Sequence, residues 1–358
     1  MSSISKHFLQ VCAKRMAGLR SMHLTAGDSF CRFRSQMKKK ERANMREIRL
    51  AVFDFDNTLW ESLRASEIAA RAFITKLCED SGLPEGDIKS GIRHAFENNH
   101  IFEYPDTIRH NPVLQAAFPG EQLDRRFAAA AELFHETMKA QACPYEGVRG
   151  MLRKLKLSGF KLACYSESNA ADLSVRMRHM GIDSLFDIIC SSPVGQRVAA
   201  SDKMPIMLRE VDHGLAARHM VAYDLPFGGP KDHPEVLSLL LAEMNIAPHE
   251  AIMVGDHLVR DVAMAQKAGV HGFWARYGRS SIGDLELTPE IHPYVQHMCE
   301  QHFGGLDVEV HPDAVLNTAE DVLLCLDIAS QRKVLPFPHL APRLARKSQA
   351  VVDSGRLQ

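Results

Sequence analysis

Short apolar runs, separated by single stretches of helix-forming sequence, limit what this chain can fold into. They are Ile48 to Asp56, Phe160 to Ser166, Phe186 to Cys190, Ala251 to Asp256 and Val270 to Trp274. Each is rich in β-formers and too short for an independent helix, so each reads as a buried strand. Helices are expected over Val148 to Leu157, Ala170 to Met180, Pro234 to Met244 and Val259 to Ala268. Strands joined by single helices imply right-handed crossovers and a mostly parallel sheet. The fold class is therefore α/β: a Rossmann-like, three-layer parallel sheet. Between Glu61 and Cys143 strand signals nearly vanish. Ile68, Phe73, Ile74 and Leu77 fall at helical spacing before a Ser81-Gly82 stop, and Arg125 to Ala142 is rich in strong helix formers. The domain reading is an α/β core of residues 47–60 and 145–278 with a helical insertion at 61–144.

Outside these limits lie a basic arm, residues 1–46, and a partly irregular extension, residues 279–358. The arm carries eleven Lys and Arg against Asp28 and Glu41 and has no evident cleavage signal. It reads as a disordered arm or as sequence upstream of a start at Met37 or Met45; an organelle-targeting role is the alternative. Overall, 43 Lys plus Arg nearly cancel 44 Asp plus Glu, so no global field points to nucleic acid or a membrane surface. A nucleic-acid contact by Lys38 to Lys40 is the exception to test, through salt-sensitive binding. Eight cysteines without a CxxC pair suit a reducing compartment, and no apolar run reaches the roughly 18 residues of a membrane span. A cytoplasmic protein is expected, of unassigned oligomeric state.

In a parallel sheet, ligands bind beyond the carboxyl ends of the strands. Asp54 and Asp56, Ser166 and Asp256 all fall at such ends, and Asp261 follows on the first turn of the next helix. In an extended strand residues i and i+2 point the same way, so the carboxylates of Asp54 and Asp56 need a cation or a shared proton to coexist. Hard oxygen donors converging in one crevice suit Mg²⁺, which is normally held by one or two carboxylates plus substrate phosphate. A carboxylate is also a competent nucleophile toward phosphorus. For each acid a structural role competes: a strand running into an Asx turn for Asp54 and Asp56, a helix cap for Asp256 and Asp261.

DFDNT (Asp54 to Thr58), Ser166, Lys231 and GDHLVRD (Gly255 to Asp261) resemble the four ordered motifs of the haloacid dehalogenase superfamily, over about Ile48 to Gly278. The helical insertion is similar to that family's cap. By this resemblance Asp54 is the nucleophile and a metal ligand. Asp56 is the acid and base, its backbone carbonyl also reaching the metal. Thr58, Ser166 and Lys231 hold the phosphoryl group, Lys231 also neutralising the nucleophile, while Asp256 is a metal ligand and Asp261 supports the site. Backbone N–H groups of Phe55 and Asp56 add to the phosphate cradle. Asp56 argues against dehalogenation, because the superfamily's dehalogenases lack that second acid.

The implied activity is Mg²⁺-dependent hydrolysis of a small phosphate monoester, a phosphorylated metabolite, through an aspartyl-phosphate. The alternatives are a phosphomutase of the same superfamily and a non-catalytic phosphate-binding or interaction module. Ser168 rivals Ser166 and Lys203 rivals Lys231. The 191–230 stretch is longer than the family needs, with helix-like DKMPIMLREV and strand-like HMVAYDL, and suits a sheet edge, a lid or an interaction surface. His292, His297, Cys299 and His302 meet no standard zinc spacing and read as a solvated segment. Phe73, Phe96, Phe102, Tyr104 and Phe118 read as core rather than a substrate box, and Arg109 and His110 as speculative substrate contacts.

Overall fold

The computed structural model describes residues 47–99, 103–193, 206–223, 225, 230–279, 282–304 and 310–328. The basic arm, Lys203, Phe102, much of the 191–230 stretch and the chain beyond residue 328 lie outside the described residues.

The strands are β1 (Leu50–Phe53), β2 (Lys161–Asn169), β3 (Ile188–Ser192), β4 (Met207–Val211), β5 (Arg218–Tyr223), β6 (Ala251–Gly255), β7 (His271–Ala275) and β8 (Ala314–Leu316). They form one sheet in the order β4-β5-β3-β2-β1-β6-β7-β8. Every pairing is parallel except that of β4 with β5. Because side chains alternate across a strand, β1 feeds two cores. Ala51 and Phe53 pack with Val148, Met151, Leu152 and Leu155 of the Val148–Leu157 helix. Leu50 and Val52 pack with Val236, Leu237, Leu240 and Leu241 of the Pro234–Glu243 helix on the other face. The sheet is thus covered on both sides, the three-layer arrangement that the near-continuous apolar strands require.

The structure departs from the sequence reading in several places. Met207–Val211, read as helix-like, is an edge strand antiparallel to β5, so this described part of the 191–230 stretch extends the sheet. Its helix formers are overridden by pairing along a half-exposed edge. The sheet also continues past residue 278, because β8 pairs with β7. β8 is only three residues long, with Val315 exposed between two buried neighbours, too little pattern to read as a strand. After β6, a π-helical turn (Leu258–Ala263) precedes a short α-helix (Met264–Lys267) where one regular helix was expected.

Between β1 and β2 the chain is helical, chiefly in Ser62–Ser81, Glu85–Asn99 and Ala128–Gln141. The first of these ends at Gly82, whose φ of 71° forms the left-handed stop that Ser81-Gly82 signalled. Phe73, Tyr104 and Phe134 meet edge-on or tilted in its core, and Phe96 packs edge-on against Tyr104. These aromatics are core, as read; Phe118 is partly buried. Arg109 is exposed and pairs with Asp106 and Asp124.

Residues 282–304 strap this helical segment to the sheet. Glu67 accepts hydrogen bonds from the Leu287 and Thr288 amides at 2.9 and 2.7 Å and from Thr288 Oγ1 at 2.6 Å. Arg93 donates to the Glu290 carbonyl oxygen, and His292 stacks on Phe96 with centroids 4.1 Å apart. Of the histidine-rich segment, His292 and Cys299 are buried in the packing rather than solvated, and His297 is exposed as read.

Candidate active site

The register of the central strands places the functional side chains. Phe53 is level with Cys164 of β2 and Val254 of β6, so Asp54 and Asp256 follow the ends of two adjacent strands, and Ser166 lies two residues past that level on β2, which runs on to Asn169. The Asp54 amide donates to the Val254 carbonyl, and the chain then turns sharply. Asn57 takes the left-handed conformation at φ 57°, and its Oδ1 accepts from Ser62 Oγ and the Leu63 amide, both at 3.0 Å. Asparagine tolerates this backbone and supplies a local acceptor, which is why it suits the middle of DFDNT.

Lys231 arrives from a separate turn, Pro230–Asp232, pinned from beneath by Tyr165 Oη donating to the Pro230 carbonyl at 2.6 Å. Its ammonium contacts Asp54 Oδ1 and lies 2.6 Å from Asp261 Oδ1. Thr58 Oγ1 donates to Asp54 Oδ2 at 3.2 Å. Asp261 reaches back from the π-helical turn and accepts from the His257 amide at 2.9 Å. Gly255 allows this return: a Cβ there would lie 2.2 Å from Asp261 Cγ. Lys231, Asp54, Asp256 and Asp261 are all buried.

Asp56 has different surroundings although it lies only two residues on. Trp60 Nε1 donates to its Oδ1 at 2.9 Å and Ser168 Oγ to its Oδ2 at 2.5 Å. Arg176 Nη1 stands 3.6 Å from Oδ1. Ser166 is buried, and its Oγ accepts from the Ser168 amide at 3.1 Å. The two serines are thus divided: Ser168 Oγ donates to Asp56, and Ser166 Oγ accepts from the Ser168 amide.

Sequence reasoning missed Arg279, whose Nε lies 2.8 Å from Asp256 Oδ2 and which is 8% exposed. It sits just past the end of β7, where the strand-end rule applies equally. Trp60 and Arg176 were missed as well, since neither a helix-facing tryptophan nor a mid-helix arginine carries a local signal.

Ligand oxygens of Asp54, Asp256 and Asp261 lie within 4.8 Å of one another. Three carboxylates here face two cations, Lys231 and Arg279, which leaves one uncompensated negative charge. The imbalance is uneven. Burial pushes Asp54 well above the ordinary carboxylate range; Lys231 opposes this, and the Asp261 and Asp256 charges reinforce it. Burial also pushes Asp256 up to about 6, against the pull of Arg279. Asp261 is buried too, yet the Lys231 charge holds it below its ordinary value. The ammonium of Lys231 is shared between Asp54 and Asp261, and the three carboxylates together are left short of positive charge. Hard carboxylate oxygens around that deficit fit a divalent cation such as Mg²⁺.

A family model described as haloacid dehalogenase-like hydrolase matches residues 48–269. The chain belongs to that family. Among curated relatives, the glyceraldehyde 3-phosphate phosphatase of Pyrococcus furiosus is 25% identical over 75% of this chain and 99% of its own length. The phosphoserine phosphatase of Thermus thermophilus is 24% identical over 68% of this chain and 94% of its own. The phosphoglycolate phosphatase of Nitrosospira multiformis is 24% identical over 66% of this chain and 87% of its own. The leaving groups in these names differ in charge, so the haloacid dehalogenase-like frame alone leaves the substrate open.

Proposed function

We propose that the protein is a Mg²⁺-dependent phosphatase that hydrolyses a small phosphate monoester through an aspartyl-phosphate on Asp54. The observation that carries this reading is the separation of two neighbouring carboxylates into different environments. Asp54 sits among Lys231, Asp256 and Asp261, whereas Asp56 is held by Trp60 and Ser168. Pairs of acids in unlike surroundings divide into a nucleophile and a proton carrier.

In the first half-reaction an Asp54 carboxylate oxygen attacks phosphorus, the ester P–O bond breaks, and Asp56 gives its proton to the departing alkoxide. In the second, Asp56 takes a proton from water as that water attacks phosphorus. The bond to Asp54 then breaks, phosphate leaves and the carboxylate is restored. Thr58, Ser166 and the N–H groups of Phe55 and Asp56 hold phosphoryl oxygens, and Lys231 offsets their charge. Asp54, Asp256 and the Asp56 backbone carbonyl would hold Mg²⁺, with Asp261 in support; the ion supplies charge stabilisation at the phosphoryl group. Residues 61–144 act as the cap that shields the first half-reaction from bulk water, over a core of residues 47–60 and 145–278 extended by β8.

Phosphate release from p-nitrophenyl phosphate and a panel of sugar, nucleotide and small-acid phosphates, with Mg²⁺ or EDTA, tests the reading. Release that requires Mg²⁺ and disappears in Asp54→Asn is expected. A folded wild type that releases no phosphate from any ester refutes it.

A further inference from the structure

Arg279 is brought to the carboxylate cluster by the turn that follows β7, Arg276–Arg279. Two contacts fix this turn against the loop after β1. Tyr277 Oη donates to the Thr58 carbonyl oxygen at 2.8 Å, and Gly278 lies so close to the same loop that a Cβ would stand 1.7 Å from the Asn57 carbonyl oxygen. The guanidinium that follows is buried beside Asp256. Its Nε–H donates to the main-chain carbonyl of Asp256 at 3.1 Å, next to the Trp274 indole, which donates to that oxygen at 2.9 Å. The carboxylate is treated differently. Asp256 Oδ2 lies 2.8 Å from Nε, yet this buried oxygen accepts no hydrogen bond from the described residues. Arg279 thus gives the Asp256 carboxylate a charge partner without occupying its lone pairs.

Resting on the Mg²⁺-dependent reading above, we propose that Arg279 is a resident counter-ion of the metal site: it offsets the charge of Asp256 while no metal is bound, and it lowers the affinity of the site for Mg²⁺. Lys231 is paired with Asp54 and Asp261, so Arg279 is the cation in contact with Asp256 among the described residues. A buried carboxylate without a cation is costly, and the guanidinium relieves that cost. A buried oxygen without a hydrogen bond is also ready to accept a cation. The same guanidinium is then a like charge beside whatever cation Oδ2 accepts, where water screens little. This fixes the sign of the effect. An arginine that oriented the carboxylate by hydrogen bonding would strengthen metal binding, whereas one that supplies charge alone weakens it.

Titration calorimetry of Mg²⁺ into metal-free protein at pH 8, without substrate, tests this in wild type, Arg279→Gln and Arg279→Lys. Glutamine removes the charge and keeps a donor for the Asp256 carbonyl; lysine keeps the charge. Arg279→Gln is expected to bind Mg²⁺ at least about tenfold tighter than wild type, and Arg279→Lys within about threefold of it. At one fixed Mg²⁺ concentration, the ion should also raise the Tm of Arg279→Gln by more than that of wild type. If Arg279→Gln does not fold, Arg279→Met, which fills the stem's space without charge, decides. Binding that is weaker, unchanged or unmeasurable in the uncharged variant, equal rises in Tm, or a tightening that Arg279→Lys shares overturns the inference. Mg²⁺-dependent phosphate release by wild type leaves the hydrolase reading standing in that event. Wild type that neither binds Mg²⁺ nor releases phosphate overturns both.

Discussion

Removing the Glu67 carboxylate should release the strap formed by residues 282–304. Glu67 is 8% exposed on the Ser62–Ser81 helix and takes three hydrogen bonds from Leu287 and Thr288, with Arg71 2.7 Å away on its own helix. In Glu67→Ala the Leu287 and Thr288 amides and the Thr288 hydroxyl lose their acceptor. A buried group left without a partner costs about 1–3 kcal/mol, and three neighbours relaxing together give roughly 3 kcal/mol rather than the sum. Alanine is a better helix former than glutamate, so the loss falls on the strap and not on the helix. Hydrogen exchange of the peptide spanning Leu287 and Thr288 reads this directly: local opening made easier by that amount speeds exchange roughly 100-fold. Glu67→Gln keeps one acceptor and should lie between. The pH dependence carries a second check. Burial alone would raise the Glu67 pKa, but the hydrogen bonds from Thr288 and the Leu287 amide outweigh it, so the folded value is depressed. Stabilisation from such a group is complete above the unfolded value of about 4.3 and fades as pH falls through the folded one. Wild type and Glu67→Gln should therefore converge as pH falls from the unfolded value through the depressed folded one. Unchanged exchange in Glu67→Ala, or a gap that persists in acid, would refute the reasoning.

Ser168→Ala removes one of the hydrogen bonds that orient Asp56, and a loss of about 1.4 kcal/mol predicts a roughly tenfold fall in kcat for phosphate release. Gly278→Ala would put a methyl carbon 1.7 Å from the Asn57 carbonyl oxygen and 3.0 Å from Asp256 Cβ. Displacing both carboxylate loops should abolish phosphate release while circular dichroism still reports a folded chain. His219, buried with Ser191 Oγ 2.8 Å from Nε2, is pushed by burial down to about 4. Its unfolded form therefore binds a proton first as pH falls from about 6.5, and stability should drop by up to about 3 kcal/mol by pH 4. Urea titrations of His219→Gln should show a flatter acid limb over that window.

The legible parts of this protein are those encoded by local pattern. Buried parallel strands need continuous apolar runs, so β1, β2, β3, β6 and β7 announce themselves, with Asp54 and Asp256 just past two of their ends and Ser166 within β2. Lys231 was legible through its resemblance to a family motif, and the structure brings it to Asp54 through the Tyr165 anchor, a contact that spans 65 residues and leaves no trace in local sequence. What stayed hidden depends on tertiary pairing. β4 and β8 are sheet edges, where one neighbour is enough and apolar pattern is weak.

The charge pattern around the site was hidden for the same reason. A count of acids along the chain predicts repulsion among Asp54, Asp256 and Asp261, but it cannot say which cations have already been brought to meet them. The fold supplies Lys231 to Asp54 and Asp261 together and Arg279 to Asp256, so the three acids share a deficit of one positive charge. That distribution, rather than the number of acids, is what would give the proposed divalent cation its place. It also sets Asp54 and Asp56 in different surroundings, because Asp56 is paired with neither Lys231 nor Arg279 and is held by Trp60 and Ser168, with Arg176 at longer range. In the proposed mechanism, two carboxylates that look equivalent in DFDNT would divide into a nucleophile and a proton carrier once Lys231, 177 positions away from Asp54, has arrived beside one of them.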